Sequence, residues 1–141
     1  MKRKASARWE GDLKTGRGVV STDSGVLQSA PYSFTTRFEN EKGTNPEELV
    51  AAAHAGCFAM ALSAELGKAG LVPESLRTTA TVTLDQVDSS WSVTESHLEV
   101  VGKVPGASGE AFRKAAEAAE TGCPISKLLN TKITLEATLE A

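Results

Sequence analysis

The stretch "NPEELVAAAHAGCFAMAL", residues 45–62, limits most strongly what this chain can fold into. Asn45 is a good helix N-cap, Pro46 suits the first helical position, and Glu48 stands three past the cap. The pattern predicts a helix from Pro46 to about Lys68, with Gly70 as its stop signal. From Leu49 to Leu62 this helix is apolar nearly all round, broken only by His54. A helix without a polar face belongs in a core, so other elements must cover it. The apolar run itself is shorter than a membrane span.

The covering elements read as strands. "SARWEG", "GRGVVST" and "YSFTTRFE" precede the helix and are rich in β-branched and aromatic residues between Gly-rich breaks. In the third, a strand would put Phe34, Thr36 and Phe38 on one face and Arg37 on the other. After the helix, "TTATVTLDQV" alternates, with Ala80, Val82 and Leu84 pointing one way. "WSVTESHLEVVGKV" changes phase between Val93 and Leu98, which predicts a bulge near Glu95. A second helix follows in "SGEAFRKAAEAAE", capped by Ser108. "TGCPISKLLN" breaks it and restarts a helix at Pro124, and "TKITLEATLE" closes the chain as a half-buried strand. Strands in runs around helices give an α+β class with mostly antiparallel sheets.

At 141 residues, the chain is expected to be one domain, 1–141, with a real core. A net charge of −3 without a basic stripe argues against nucleic acid as a partner; "KRK" at residues 2–4 reads as a solvated end. The basic start runs into "ASARWEGD" rather than an apolar segment, so no signal peptide is expected. The expectation is a soluble cytoplasmic protein, free of membrane, in which a disulfide would be transient and catalytic.

The chain has two cysteines. Cys57 lies in the apolar helix and could be a small core hydrophobe. Cys123 precedes Pro124 at a helix start, where backbone N–H groups favour a thiolate. With His54 and His97 the two thiols also make a conceivable zinc set, although no close ligand spacing surrounds Cys123 or His97. A histidine on so apolar a helix is more simply a hydrogen-bonded core residue.

The segments "EKGTNPEELVAAAHAGCFAMAL", "TGCPIS" and "ARWEGDLKTGRG" together closely resemble the osmotically inducible protein C family, OsmC, sister to the organic hydroperoxide resistance proteins. The resemblance covers essentially the whole chain, and the "WEGD…GRG" opening is similar to the OsmC branch. It implies antiparallel sheets wrapped around central buried helices in an intertwined homodimer. It implies a thiol peroxidase for organic hydroperoxides, less efficient with hydrogen peroxide, serving oxidative or osmotic stress defence. No metal or other cofactor is implied, and relatives take electrons from small dithiols or lipoyl-bearing proteins. Position by position, Cys57 matches the peroxide-attacking cysteine, Cys123 the resolving one, and Arg37 with Glu47 the charged pair of the site.

The chemistry of these residue types suits those roles. A guanidinium lowers the pKa of a neighbouring thiol while staying charged itself, and a carboxylate fixes its direction through a forked pair. A sulfenic acid on Cys57 would condense with Cys123. Phe38, Phe58 and Met60 are candidate apolar walls for an alkyl peroxide. Glu47 and Cys57, ten positions apart on one straight helix, would be separated by about 15 Å along its axis. If Glu47 serves Cys57, it must then come from a second subunit. The competing expectation is a non-enzymatic α+β binding protein with inert thiols, distinguished by thiols that peroxide leaves untouched.

Overall fold

The computed structural model describes residues 1–140, which divide into two compact units, Met1–Leu49 and the remainder from Val50. In the first, β1 (Ala5–Glu10), β2 (Arg17–Thr22) and β3 (Ala30–Tyr32) form an antiparallel sheet in that order. Gly18 on β2 pairs with both Trp9 and Tyr32. A Cβ there would lie 2.5 Å from the Tyr32 ring and 2.7 Å from the Trp9 ring. Only glycine lets these two rings meet over the strand, with centroids 5.5 Å apart.

The expected third strand, "YSFTTRFE", ends at Tyr32. Residues Phe34–Phe38 form a short helix, α1, instead. Ser33 caps it by accepting from Thr36 N–H, and the Thr36 hydroxyl accepts in return from Ser33 N–H. This reciprocal cap outweighs the strand propensity of the two threonines. The alternating faces expected there do not exist. Phe34 and Phe38 stack one turn apart, with ring centroids at 4.9 Å.

The long helix α2 runs Pro46–Lys68 without a break, capped by the Asn45 side chain, which accepts from Glu48 N–H. Gly70, with φ of +75°, follows its end as expected. Length and composition alone would let these 23 residues cross a membrane. They are a core helix instead, because His54, Phe58, Leu62 and Leu66 are buried against other elements of the second unit. That stripe is the only fully buried one among the described residues of α2. Ala53, Gly56 and Met60 on the other side are exposed, Met60 by 77%. The all-round burial read from the apolar run is therefore not met within this chain.

In the second unit, β4 (Ser75–Val87) and β5 (Ser90–Lys103) form a long hairpin, closed by Asp88 and Ser89 at φ of 51° and 65°. Two successive positive φ values match the twist of a tight hairpin. The pairing shifts between Thr83–Glu95 and Leu84–Val93, leaving Thr94 as the extra residue beside the expected position. Then come α3 (Gly109–Gly122), capped by Ser108, α4 (Pro124–Leu128), and β6 (Lys132–Leu139). β6 pairs with β5 in parallel, so this sheet is mixed. The α3–α4 crossover makes that possible, since parallel neighbours need a long connection. Leu98 and Val100 of β5, Phe58, Leu62 and Leu66 of α2, and Phe112, Ala116 and Ala119 of α3 form the core, together with Cys123.

Candidate active site

Arg37 closes the last turn of α1, and Glu47 opens the first turn of α2. Arg37 Nη2 donates to Glu47 Oε1 at 2.7 Å, and Nε lies 3.2 Å from each carboxylate oxygen. This forked geometry holds the guanidinium plane. The Arg37 guanidinium also stands 5.1 Å from the Phe38 ring centroid, close enough for a cation–π attraction. Beside it, a cavity of about 240 Å³ is lined by Trp9, Leu13, Tyr32, Ser33, Phe34, Arg37 and Phe38. Of the expected walls only Phe38 belongs to it. Phe58 is core, and Met60 is exposed.

Cys57 on α2 and Cys123, at the junction of α3 and α4, are both free thiols within hydrogen-bonding reach of each other. Their settings differ. Cys57 is half-buried, whereas Cys123 is fully buried in the core. Burial pushes the Cys57 thiol up, and so does its hydrogen bond to Cys123; the Ile125 N–H opposes both. Burial also acts to raise Cys123, but the neighbouring Cys57 thiol, Ser126 and the Ile125 N–H act the other way and bring it below the ordinary thiol range. Ile125 and Ser126 belong to the first turn of α4, which Pro124 starts, and the Cys123 side chain makes no capping hydrogen bond there.

His54 is fully buried on α2, with Nδ1 2.7 Å from Ser96 Oγ and Nε2 2.8 Å from Ser126 Oγ. Its burial holds the imidazole below its usual pKa, hence neutral near pH 7. His97 Nδ1 is hydrogen-bonded to the Thr134 hydroxyl on β6. The two histidines are thus engaged with hydroxyl groups, and the conceivable set of His54, Cys57, His97 and Cys123 is not assembled as metal ligands. His54 is the hydrogen-bonded core residue expected.

The four site residues stand as two pairs, Arg37 with Glu47 in the first unit and Cys57 with Cys123 in the second. Sequence reasoning missed Ser126 and the apolar group of Trp9, Leu13, Tyr32 and Phe34. A hydroxyl residue in the first turn after Cys123–Pro124 was the one available signal for Ser126, since side chains of that turn lie close to the cap.

A half-buried thiol on α2 and a buried one between α3 and α4 mark this α+β protein as a candidate thiol protein. Residues 39–138 match the family model described as OsmC-like protein, a span that includes Glu47, Cys57 and Cys123 and begins just past Arg37. The chain is 52% identical over 139 residues to peroxiredoxin OsmC of Escherichia coli strain K12, covering 99% of this chain and 97% of that protein. It is 35% identical over 123 residues to the organic hydroperoxide resistance protein OhrA of Bacillus subtilis strain 168, covering 84% of each. Its fold matches an OsmC-like protein of Vibrio cholerae with a TM-score of 0.77 at 19% identity, over 97% of this chain and 99% of that one. The chain belongs to the OsmC-like family.

Proposed function

We propose that this OsmC-like protein is a peroxide-reducing oxidoreductase in which Cys57 attacks organic hydroperoxides and Cys123 resolves the product. The observation that carries this reading is the contrast between two neighbouring thiols. Cys57 is only half-buried and open to a substrate, whereas Cys123 is fully buried in the core. The Cys57 thiolate attacks the outer peroxide oxygen, the O–O bond breaks, and the alkoxide leaves to take up a proton. Cys123 then attacks the Cys57 sulfenic acid; the S–S bond forms and hydroxide leaves as water once protonated. A dithiol or lipoyl-bearing reductant returns both thiols. The relatives named peroxiredoxin and organic hydroperoxide resistance protein support the same chemistry.

Cys57 needs a cation, because burial and Cys123 both disfavour its thiolate. Arg37, held by Glu47, is the group suited to supply it and to stabilise the departing alkoxide. The continuity of α2 separates Glu47 from Cys57 by about 15 Å along one axis. The arrangement proposed is therefore a homodimer whose composite site joins Arg37 and Glu47 of one subunit to the thiols of the other. The exposed side of α2, with Ala53, Gly56 and Met60, supports a second copy as its cover. The aromatic cavity beside Arg37 would take the alkyl group. This reading treats residues 1–141 as one working domain, free of nucleic acid and membrane, in the cytoplasm where a dithiol stays reducible.

Steady-state turnover with a dithiol reductant tests the reading. Organic hydroperoxide should be consumed catalytically and with higher kcat/KM than hydrogen peroxide. Absence of turnover with both would refute it.

A further inference from the structure

Arg37 and Glu47 stand on two different helices, and residues 39–44 connect the end of α1 to the cap of α2. Residues 39–43 of that connection are exposed. It is anchored at Thr44, whose N–H donates to the Pro31 C=O at 3.1 Å, and at Glu41, whose carboxylate accepts from the Thr35 hydroxyl. Neither bond reaches α2.

The Asn45 side chain does. Its Oδ1 accepts from Glu48 N–H at 2.8 Å, and its Nδ2 donates to the Thr36 C=O at 3.2 Å. One amide group thus holds the first turn of α2 and a carbonyl of α1. Its orientation is forced, because a backbone N–H can only donate and a carbonyl can only accept. A flipped amide would lose both bonds. Helix α1 ends at Phe38 and the chain turns extended at Glu39, so no further helical turn supplies a donor for the Thr36 carbonyl. Thr36 is buried, where an unpaired carbonyl would be costly.

Arg37 follows Thr36 directly, and Glu47 lies two past Asn45. The Asn45 bonds therefore hold the backbone beneath both partners of the ion pair. A forked pair demands direction as well as distance, and the guanidinium sits on a long stem with many rotamers.

We propose that Asn45 is a positioning residue for the reaction: it clasps α1 to α2 through Thr36 and so sets where the Arg37 guanidinium stands. The inference rests on the proposed role of Arg37 at Cys57 and adds the residue that places it. Asn45 acts only through Arg37 and Glu47. A small misplacement of such a group is enough to slow a reaction that depends on one geometry. Among good helix caps, asparagine combines a donor and an acceptor on one planar group. Aspartate has no donor, and serine offers a single shorter hydroxyl.

Asn45→Ser separates the two duties, since serine still caps α2 while the reach to Thr36 is lost. In a single turnover the folded variant should consume organic hydroperoxide about three- to tenfold more slowly, the scale of one hydrogen bond. In Glu47→Ala, where the pair is already broken, adding Asn45→Ser should cost no further rate. Without peroxide, the thiolate titration of Cys57, followed in a Cys123→Ser background, should move upward with Asn45→Ser, which a purely structural cap would not cause. Asn45→Asp, which also caps without the donor, should reproduce the slower turnover and replaces the serine variant if that does not fold. A native rate with a native Cys57 titration, or equal slowing with and without Glu47, would overturn the clasp. Failure of the native protein to consume organic hydroperoxide would instead overturn the peroxidase reading, with the titration still deciding the clasp.

Discussion

Replacing Glu47 by alanine removes the carboxylate that holds Arg37 and leaves the thiols unchanged. The pair has one contact of 2.7 Å and two of 3.2 Å, the forked geometry of a strong charge-assisted bond. Such bonds contribute about 1.5–3 kcal/mol when well shielded. Arg37 is 36% exposed and Glu47 13%, so solvent screening brings the expectation below that range, to about 1–1.5 kcal/mol. If Arg37 acts at Cys57 only when so directed, that energy enters the barrier for peroxide attack. At roughly 1.4 kcal/mol per factor of ten, Glu47→Ala should lower kcat/KM about five- to tenfold. Glu47→Gln, keeping an acceptor without the charge, should fall between. Arg37→Ala should lose more, because it removes the cation itself. Stopped-flow consumption of an organic hydroperoxide under single-turnover conditions, with Glu47→Ala verified as folded, measures this step. A native rate in Glu47→Ala would refute the claim that Glu47 directs the guanidinium.

Unequal effects are expected from the two serine substitutions: Cys57→Ser should abolish even the first turnover, whereas Cys123→Ser should consume one equivalent of peroxide and stall as sulfenic acid, detectable by a sulfenate-trapping reagent. Equal single-turnover rates would reverse the assignment. Refolding a mixture of Glu47→Ala and Cys57→Ser subunits should yield heterodimers more active than either parent, since one of their two composite sites has both native residues. Mass-verified heterodimers no more active than the parents would place Glu47 in its own subunit's chemistry. His54 is held below its ordinary value of 6.5 by burial, so the unfolded chain binds a proton that the folded chain resists. Its contribution is complete above pH 6.5 and declines as pH falls from there toward the folded value, by at most about 1.4 kcal/mol per pH unit. Glu120, raised by burial and by Glu117, works in the opposite sense, gaining stability as pH falls through its folded value toward 4.5. Denaturant unfolding at several pH values should therefore show a steeper acid loss in the native protein than in His54→Gln; identical slopes would contradict the assignment.

The parts of this fold that the sequence made legible are those decided within a few residues. The cap and first proline of α2, the Ser108 cap of α3, the restart at Pro124 and the bulge beside Glu95 all came from local patterns and are present. The α1 helix is not legible in the sequence because "SFTTRF" alternates like a strand, while the Ser33–Thr36 reciprocal cap decides for a helix. The parallel direction of β6 has no local signature, since Ile133, Leu135 and Ala137 alternate identically in either direction. The site divides the same way. Cys57, Cys123, Arg37 and Glu47 are candidates legible from motifs, but the link of His54 to Ser96 and Ser126 joins residues far apart in sequence. Likewise, the cavity beside Arg37 unites Trp9 and Leu13 with Tyr32 and Phe34, a grouping set by the closure of β1 to β3.

Non-reducing peptide mapping after one equivalent of organic hydroperoxide tests the central claim most directly. The two cysteines of the chain make the result unambiguous. The account predicts one linked pair of peptides, Cys57 joined to Cys123 within a single chain, formed without added metal and reversed by a dithiol. Recovery of free thiols only, or of disulfides only between chains, would contradict it.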